Sequence, residues 1–286
     1  MIQSTDEFNS VTTYHIMQYN RLIYNHIHNL DEKAKVKLNN YLASHNGENR
    51  GIDQLKMEAD LPLEYAFLID DGYVFNHLTE NNIGRFKEIC KKIQFIEGKN
   101  KRFLAKNPWD FANFMFIKKH LPKAKFVFIH RHPYPFLNSS LKALRTLTEQ
   151  RTVYSDVISP TAKKLAENPI LKILSKMLLF KYFPIALPLI VEHHALQAHY
   201  FLKNINKLNN KDFINIRYED LCENPVRTMV DIIDFLDLEE DNINRFEQFI
   251  KPRHLQISTD VKQVQDYIYQ RMKAYFSYFK YYRHTF

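Results

Sequence analysis

Glycine is scarce in this chain: five residues in 286, none beyond Gly98, and no GxGxxG or GxxxxGK[ST] among them. A phosphate cradle built from glycine backbone is therefore missing, which argues against a Rossmann dehydrogenase or an ordinary NTPase. Any nucleotide site must rest on side chains and helix starts. Cysteine is nearly absent too. Cys90 and Cys222 stand far apart in sequence, so neither a disulfide framework nor a zinc cluster is expected, and the pair fits a reducing compartment with neither thiol catalytic. The thirteen histidines contain no HExxH pair, and the adjacent His193 and His194 fall on different sides of a helix, so no metal is expected. No basic-then-apolar leader opens the chain, which makes a cytoplasmic location the default. The longest apolar run, Met177 to Val191, is broken by Lys181 and two prolines and is too interrupted for a span of about 20 apolar residues. It reads as a lid over a lipophilic acceptor pocket, as a patch touching a bilayer surface, or as ordinary core helices. Repeats and low-complexity linkers are lacking.

What is present begins with 45% hydrophobic residues over a length that suits one large α/β domain, residues 1–286. The charge of +8 and pI near 9.2 favour anionic partners. Without a groove-reading motif or a concentrated basic run, nucleic acid is not among the expected ones. Helical patterning covers residues 14–43, and 45–60 reads as loop. A helix starts at Leu63–Ile69, and another runs from Phe111 to His120. Further helices cover about 135–149 and 161–208, on either side of a loop around Ser155–Pro160. Asn224-Pro225 opens a helix in cap and first-turn order. The last helix, from about Asp260, sets Val261, Val264, Ile268, Met272, Tyr275 and Phe279 on one face. Three apolar strands are expected at Arg102–Ala105, Phe126–Ile129 and Phe213–Ile216.

Each strand gives way to polar groups at its C-terminal end: Lys106, then Arg131 with His132, then Arg217 with Tyr218. Open parallel sheets bind ligands along that edge, so these groups are expected to line one crevice. The planar guanidinium of Arg131 suits a phosphate, and Ser139, eight residues on, offers a hydroxyl from the following helix.

In order and spacing, Lys106-Asn-Pro108, Arg131-His-Pro133 with Ser139, and Arg217-Tyr-Glu-Asp-Leu221 with Pro225 resemble the motifs of sulfotransferases that use 3′-phosphoadenosine 5′-phosphosulfate (PAPS), particularly the bacterial-type branch. The likeness covers most of residues 60–240. It implies a helix-rich α/β fold, a P-loop NTPase-like parallel sheet flanked by helices, and transfer of a sulfuryl group from PAPS to a hydroxyl or amine of a small acceptor without metal. By the same analogy Arg131 and Ser139 would bind the 3′-phosphate and Tyr218 would lie near the adenosine. Lys106 would meet charge on the leaving oxygen, and Lys251 with Arg253 would return to the nucleotide phosphates. The other reading of Lys106 is a solvated strand flank, and of Lys251 and Arg253 a basic helix end. Trp109 either stacks on an aromatic face or belongs to the core. His15, after Thr12, Thr13 and Tyr14, is the candidate catalytic base or a packed histidine. Asp110 is a second base candidate or a helix cap.

The family begins with a strand and a phosphosulfate loop resembling GxxRSGTT, whose helix leads into a segment like Ile2–Phe8, and here Met1 falls inside that helix. The first strand and loop are thus expected to be missing, whether through a late start, a truncated gene or a non-catalytic relative. The alternative to an enzyme is a protein that keeps the 3′-phosphate half of the site and binds nucleotide or another polyanion.

Overall fold

The computed structural model describes residues 1–44, 55–69, 76–98, 100–149, 167–179, 185–239, 242–250 and 257–283. In chain order the elements are β1 (Phe8–Ser10), α1 (Thr13–Met17), α2 (Leu22–Ile27), α3 (Asp31–Ser44), α4 (Ile83–Glu97), β2 (Arg102–Leu104), α5 (Phe114–His120), β3 (Phe126–His130) and α6 (Pro133–Glu149). They continue with α7 (Pro169–Leu178), α8 (Leu187–Asn204), β4 (Phe213–Arg217), α9 (Tyr218–Glu223), α10 (Pro225–Leu236), α11 (Thr259–Gln263) and α12 (Gln265–Tyr278). The expected helix-rich α/β fold with parallel strands is what the chain adopts. Contacts group it into two compact units, residues 6–110 with 143–176, and residues 1–5 with 111–142 and 177–286.

Two corrections concern the strands. The three expected strands do not share one sheet among the described residues. β2 pairs in parallel with β1, a strand the sequence reading did not foresee, and β3 pairs in parallel with β4. Nor is β3 buried throughout. Phe128 and His130 point into an aromatic core, whereas Ile129, on the other face of the pleat, is 53% exposed.

The first of these units packs Tyr14, Leu22, Leu38, Leu42, Met57 and Leu63 together. The single helix expected over residues 14–43 is three, and between α1 and α2 lies a 3-10 turn at Tyr19–Arg21. Thr12 caps α1 in a capping box that uses His15 at N3. α4 ends where Gly98 takes φ +109°, a conformation open to glycine.

The second unit has a core of stacked aromatics: Phe111, Phe114, Phe126, Phe128, Phe201 and Phe279. α10 opens as expected, the Arg227 N–H donating to Asn224 Oδ1 (3.2 Å) with Pro225 in the first turn, and it buries Met229, Ile232, Ile233 and Leu236. The predicted C-terminal face is also present. Val261, Ile268, Met272, Tyr275 and Phe279 are buried and Val264 packs against them. That helix is broken in two at Val264, and Met272 departs from helical geometry.

Candidate functional site

The parallel register sets His130 opposite Arg217, so Arg131 and Tyr218 follow side by side where β3 and β4 end. The Arg131 guanidinium carbon lies 4.7 Å from the centroid of the Tyr218 ring. An arginine stacked in this way keeps the edge of its fork free for in-plane hydrogen bonds, and among the described residues no carboxylate pairs with it. At the end of β4, the Arg217 guanidinium sits 4.9 Å from the Tyr281 ring centroid and its Nη1 is 3.5 Å from Asp220 Oδ1. Its Nε is buried with no hydrogen-bond partner among the described residues.

Glu219 ties this edge together. Its Oε1 accepts from the His132 backbone N–H (2.8 Å) and its Oε2 from the Tyr281 hydroxyl (3.1 Å). His132 receives the Tyr134 backbone N–H on Nδ1 (3.3 Å) and donates from Nε2 to the Tyr282 carbonyl (3.0 Å), which defines a neutral ring. Burial lowers its pKa, with the Tyr282 carbonyl opposing. A second histidine supports Arg131 from below. His130 donates from Nε2 to Asn215 Oδ1 (3.1 Å) and accepts on Nδ1 from the Tyr275 hydroxyl (2.9 Å), and that hydroxyl in turn receives the Arg131 backbone N–H. The imidazole also stacks on Phe279 at 3.8 Å. Desolvation pushes the His130 pKa down to about 4, while the bond to Asn215 opposes it. Burial does the same to His194, also to about 4, on α8.

These depressed values carry a sign. An unfolded histidine titrates near 6.5 and these titrate lower in the fold, so between the two values the unfolded chain binds more protons. Stability is full above about pH 6.5 and is lost as pH falls toward 4, by up to about 3 kcal/mol for His130 alone. Urea unfolding midpoints measured from pH 7.5 to 4.5 are expected to fall, and His130→Asn is expected to flatten the slope. An unchanged slope in that variant would count against the buried neutral ring.

Ser139 lies exposed in the second turn of α6, with no partner among the described residues. Its neighbour Asn138 accepts from the Ser258 backbone N–H (2.9 Å). Lys251 and Arg253 fall outside the described residues.

The remaining candidates belong to the first unit. Lys106 Nζ is 2.9 Å from Glu64 Oε1, and its side chain is 55% exposed. His15 is 1% exposed. Its Nδ1 accepts from the Thr12 backbone N–H (3.1 Å), and its Nε2 stands 3.2 Å from Glu97 Oε1 in an ionic contact without hydrogen-bond alignment. This geometry gives His15 a capping job. Asp110 does not cap α5. It accepts from the Tyr65 hydroxyl, the Leu78 N–H (2.9 Å) and Asn107 Nδ2 (2.6 Å), while Asn107 Oδ1 takes the Trp109 N–H (3.3 Å). Trp109 packs edge-on against Phe67. Cys90 is a free thiol that burial pushes up to about 12, and Cys222 is free as well.

The sequence reading gave no role to Glu219, Tyr275 or Tyr281. Glu219 was visible inside the Arg-Tyr-Glu-Asp segment, whereas Tyr275 read only as a core face and Tyr281 carried no signal. Among the described residues no group of histidine, cysteine and carboxylate side chains could hold a metal ion, and no helix is long and apolar enough to cross a membrane.

No curated protein sequence matches the chain. Among solved structures it resembles the sulfotransferase STF9 from Mycobacterium avium, with a TM-score of 0.61 at 12% identity over 95% of this chain and 70% of that one, a likeness of fold. Residues 17–168, more than half of the chain, match the family model described as the sulfotransferase family, and the protein belongs to that family.

Proposed function

We propose that this protein binds PAPS at the joined ends of β3 and β4 and passes its sulfuryl group to a hydroxyl or amine of a small, lipophilic acceptor. The observation that carries the reading is Arg131 lying over the Tyr218 ring where β3 and β4 end, and Arg217 at the end of β4 has a buried Nε without a partner among the described residues. These residues fit a phosphate. The Arg131 fork is planar and held flat, and a buried guanidinium N–H without an acceptor is costly unless an anion meets it. PAPS would supply the activated sulfuryl group. Arg131, with Ser139 on α6, would hold the 3′-phosphate, and the Tyr218 face would extend toward the adenine. By the family resemblance, Lys251 and Arg253 would add charge to the phosphates. A cytoplasmic setting belongs to this reading and rests on the two free thiols.

A second reading, nucleotide binding without turnover, is favoured by the state of the candidate catalytic groups. His15 is buried with its Nδ1 taken by the Thr12 N–H and its Nε2 beside Glu97, and Lys106 is paired. The two readings separate cleanly. Titration of the full chain with 3′-phosphoadenosine 5′-phosphate tests binding, and transfer of labelled sulfate from PAPS to a panel of phenols, alcohols and amines tests turnover. Binding with no transfer to any acceptor supports the second reading, and absence of binding defeats both. Within the same titration, Tyr218→Ala is expected to weaken nucleotide binding about tenfold while Tyr218→Phe stays within about twofold, because the ring face and not the hydroxyl supports Arg131.

A further inference from the structure

Helix α7 presents its apolar side to solvent. Ile170, Ile173, Leu174, Met177 and Leu178 recur at the i, i+3, i+4, i+7, i+8 spacing of one helical face, and they are 68%, 60%, 48%, 62% and 43% exposed. A stripe of this kind on a folded protein marks a surface that something covers. The helix contains no acidic residue, and its charges are Lys172 and Lys176. By helical spacing Lys176 falls on the arc opposite the stripe. The surrounding sequence is basic. Residues 142–181 hold eight lysines and arginines against three acidic residues, a net +5 out of +8 for the whole protein.

The geometry points to an interfacial membrane helix: we infer that α7 lies in the surface of an anionic bilayer, with its apolar stripe among the acyl chains and its basic flank on the headgroups. Aliphatic residues on one side with lysines on the other is the composition of helices that lie in such a surface. A second copy of the chain fits less well, because self-association would bring two segments of net +5 together. A protein partner also fits less well. The stripe has none of the tryptophan, tyrosine or arginine anchors that dominate protein interfaces. The chain continues from α7 through the Ala186 N–H, which donates to the Leu178 carbonyl (3.0 Å), to Ile185 and Leu189, exposed by 56% and 70% at the start of α8. This inference stands apart from the donor site and does not depend on PAPS.

The test is co-sedimentation of the full chain with phosphatidylcholine vesicles, with and without about 30% phosphatidylserine. The protein is expected to pellet with the anionic vesicles, to lose most of that binding without phosphatidylserine or at high salt, and to lose at least tenfold in partitioning in the double variant Ile173→Glu, Met177→Glu. Both substituted residues are exposed, and an unchanged urea midpoint confirms that the variant folds. Failure of the wild type to bind anionic vesicles overturns the inference, as does equal binding by the folded variant. A wild-type dimer that the variant dissolves, with no vesicle binding, assigns the face to a second copy. A variant that instead impairs sulfuryl transfer to a soluble acceptor, again without vesicle binding, assigns it to the acceptor pocket.

Discussion

Replacing Arg131 by alanine is expected to weaken binding of 3′-phosphoadenosine 5′-phosphate by about 100-fold, the largest loss of any single substitution at the joined strand ends. The expectation follows from the kind of contact involved. A charge-assisted, two-pronged bond from guanidinium to phosphate contributes on the order of 2–3 kcal/mol, and a hundredfold change corresponds to about 2.7 kcal/mol. Arg131→Lys is expected to recover only part of this, since lysine keeps the charge but neither the fork nor the flat contact with Tyr218. A nucleotide without the 3′-phosphate should bind wild type and Arg131→Ala about equally. Calorimetric titration of the three proteins with both nucleotides decides the matter. Equal loss for both would place Arg131 elsewhere on the ligand, and no loss for either would remove it from the site. The fold should survive, because Arg131 is held through its backbone, by Tyr275 and by the Glu219 bond to the next residue, and not through its guanidinium.

The second large effect concerns stability. Asp110→Ala is expected to lower the unfolding free energy by about 3 kcal/mol, because it strands the Tyr65 hydroxyl and the Leu78 N–H and leaves the Asn107 amide only the Asn76 carbonyl, where all three now converge on one buried carboxylate. Asp110→Asn keeps one acceptor oxygen but turns a donor toward groups that donate, and is expected to lose about half as much. Burial and the neighbouring carboxylate both raise the Tyr65 pKa, so the phenol keeps its proton near neutral pH and remains a donor. Urea unfolding measures the loss directly. If Asp110 were instead the proton acceptor in sulfuryl transfer, the asparagine variant would keep its unfolding midpoint and lose turnover. The expected pattern is the reverse for the midpoint, with the Lys106-Asn-Pro108 turn loosened because Asn107 keeps only the Asn76 carbonyl as acceptor for its amide.

The strand ends were legible in the sequence because they are local. An apolar run that stops at a charged residue needs no distant partner to be read, and the three runs were each placed to within a residue of β2, β3 and β4. β1 was not legible, since Phe8-Asn-Ser10 is three residues long and carries no alternation. The grouping of strands was missed for a related reason. Nothing in an apolar run says which other run it will pair with, and two two-stranded sheets read the same as one of three. The last helix shows the converse. Its apolar face was correct in every position, yet the break at Val264 was invisible because the spacing of buried residues continues across it.

By itself the sequence determined which chemistries stand at and just beyond the ends of β3 and β4, the arginine, hydroxyl and tyrosine of the proposed anion site, because residue type and strand register are local properties. Only the tertiary structure decided which of those groups remain open. Lys106 is met by Glu64, His15 by Thr12 and Glu97, His132 by Glu219 from 87 positions away, and His130 by Tyr275 from 145. Ionisable groups take their character from whatever charge and burial surround them, and that neighbourhood comes into being when distant segments pack.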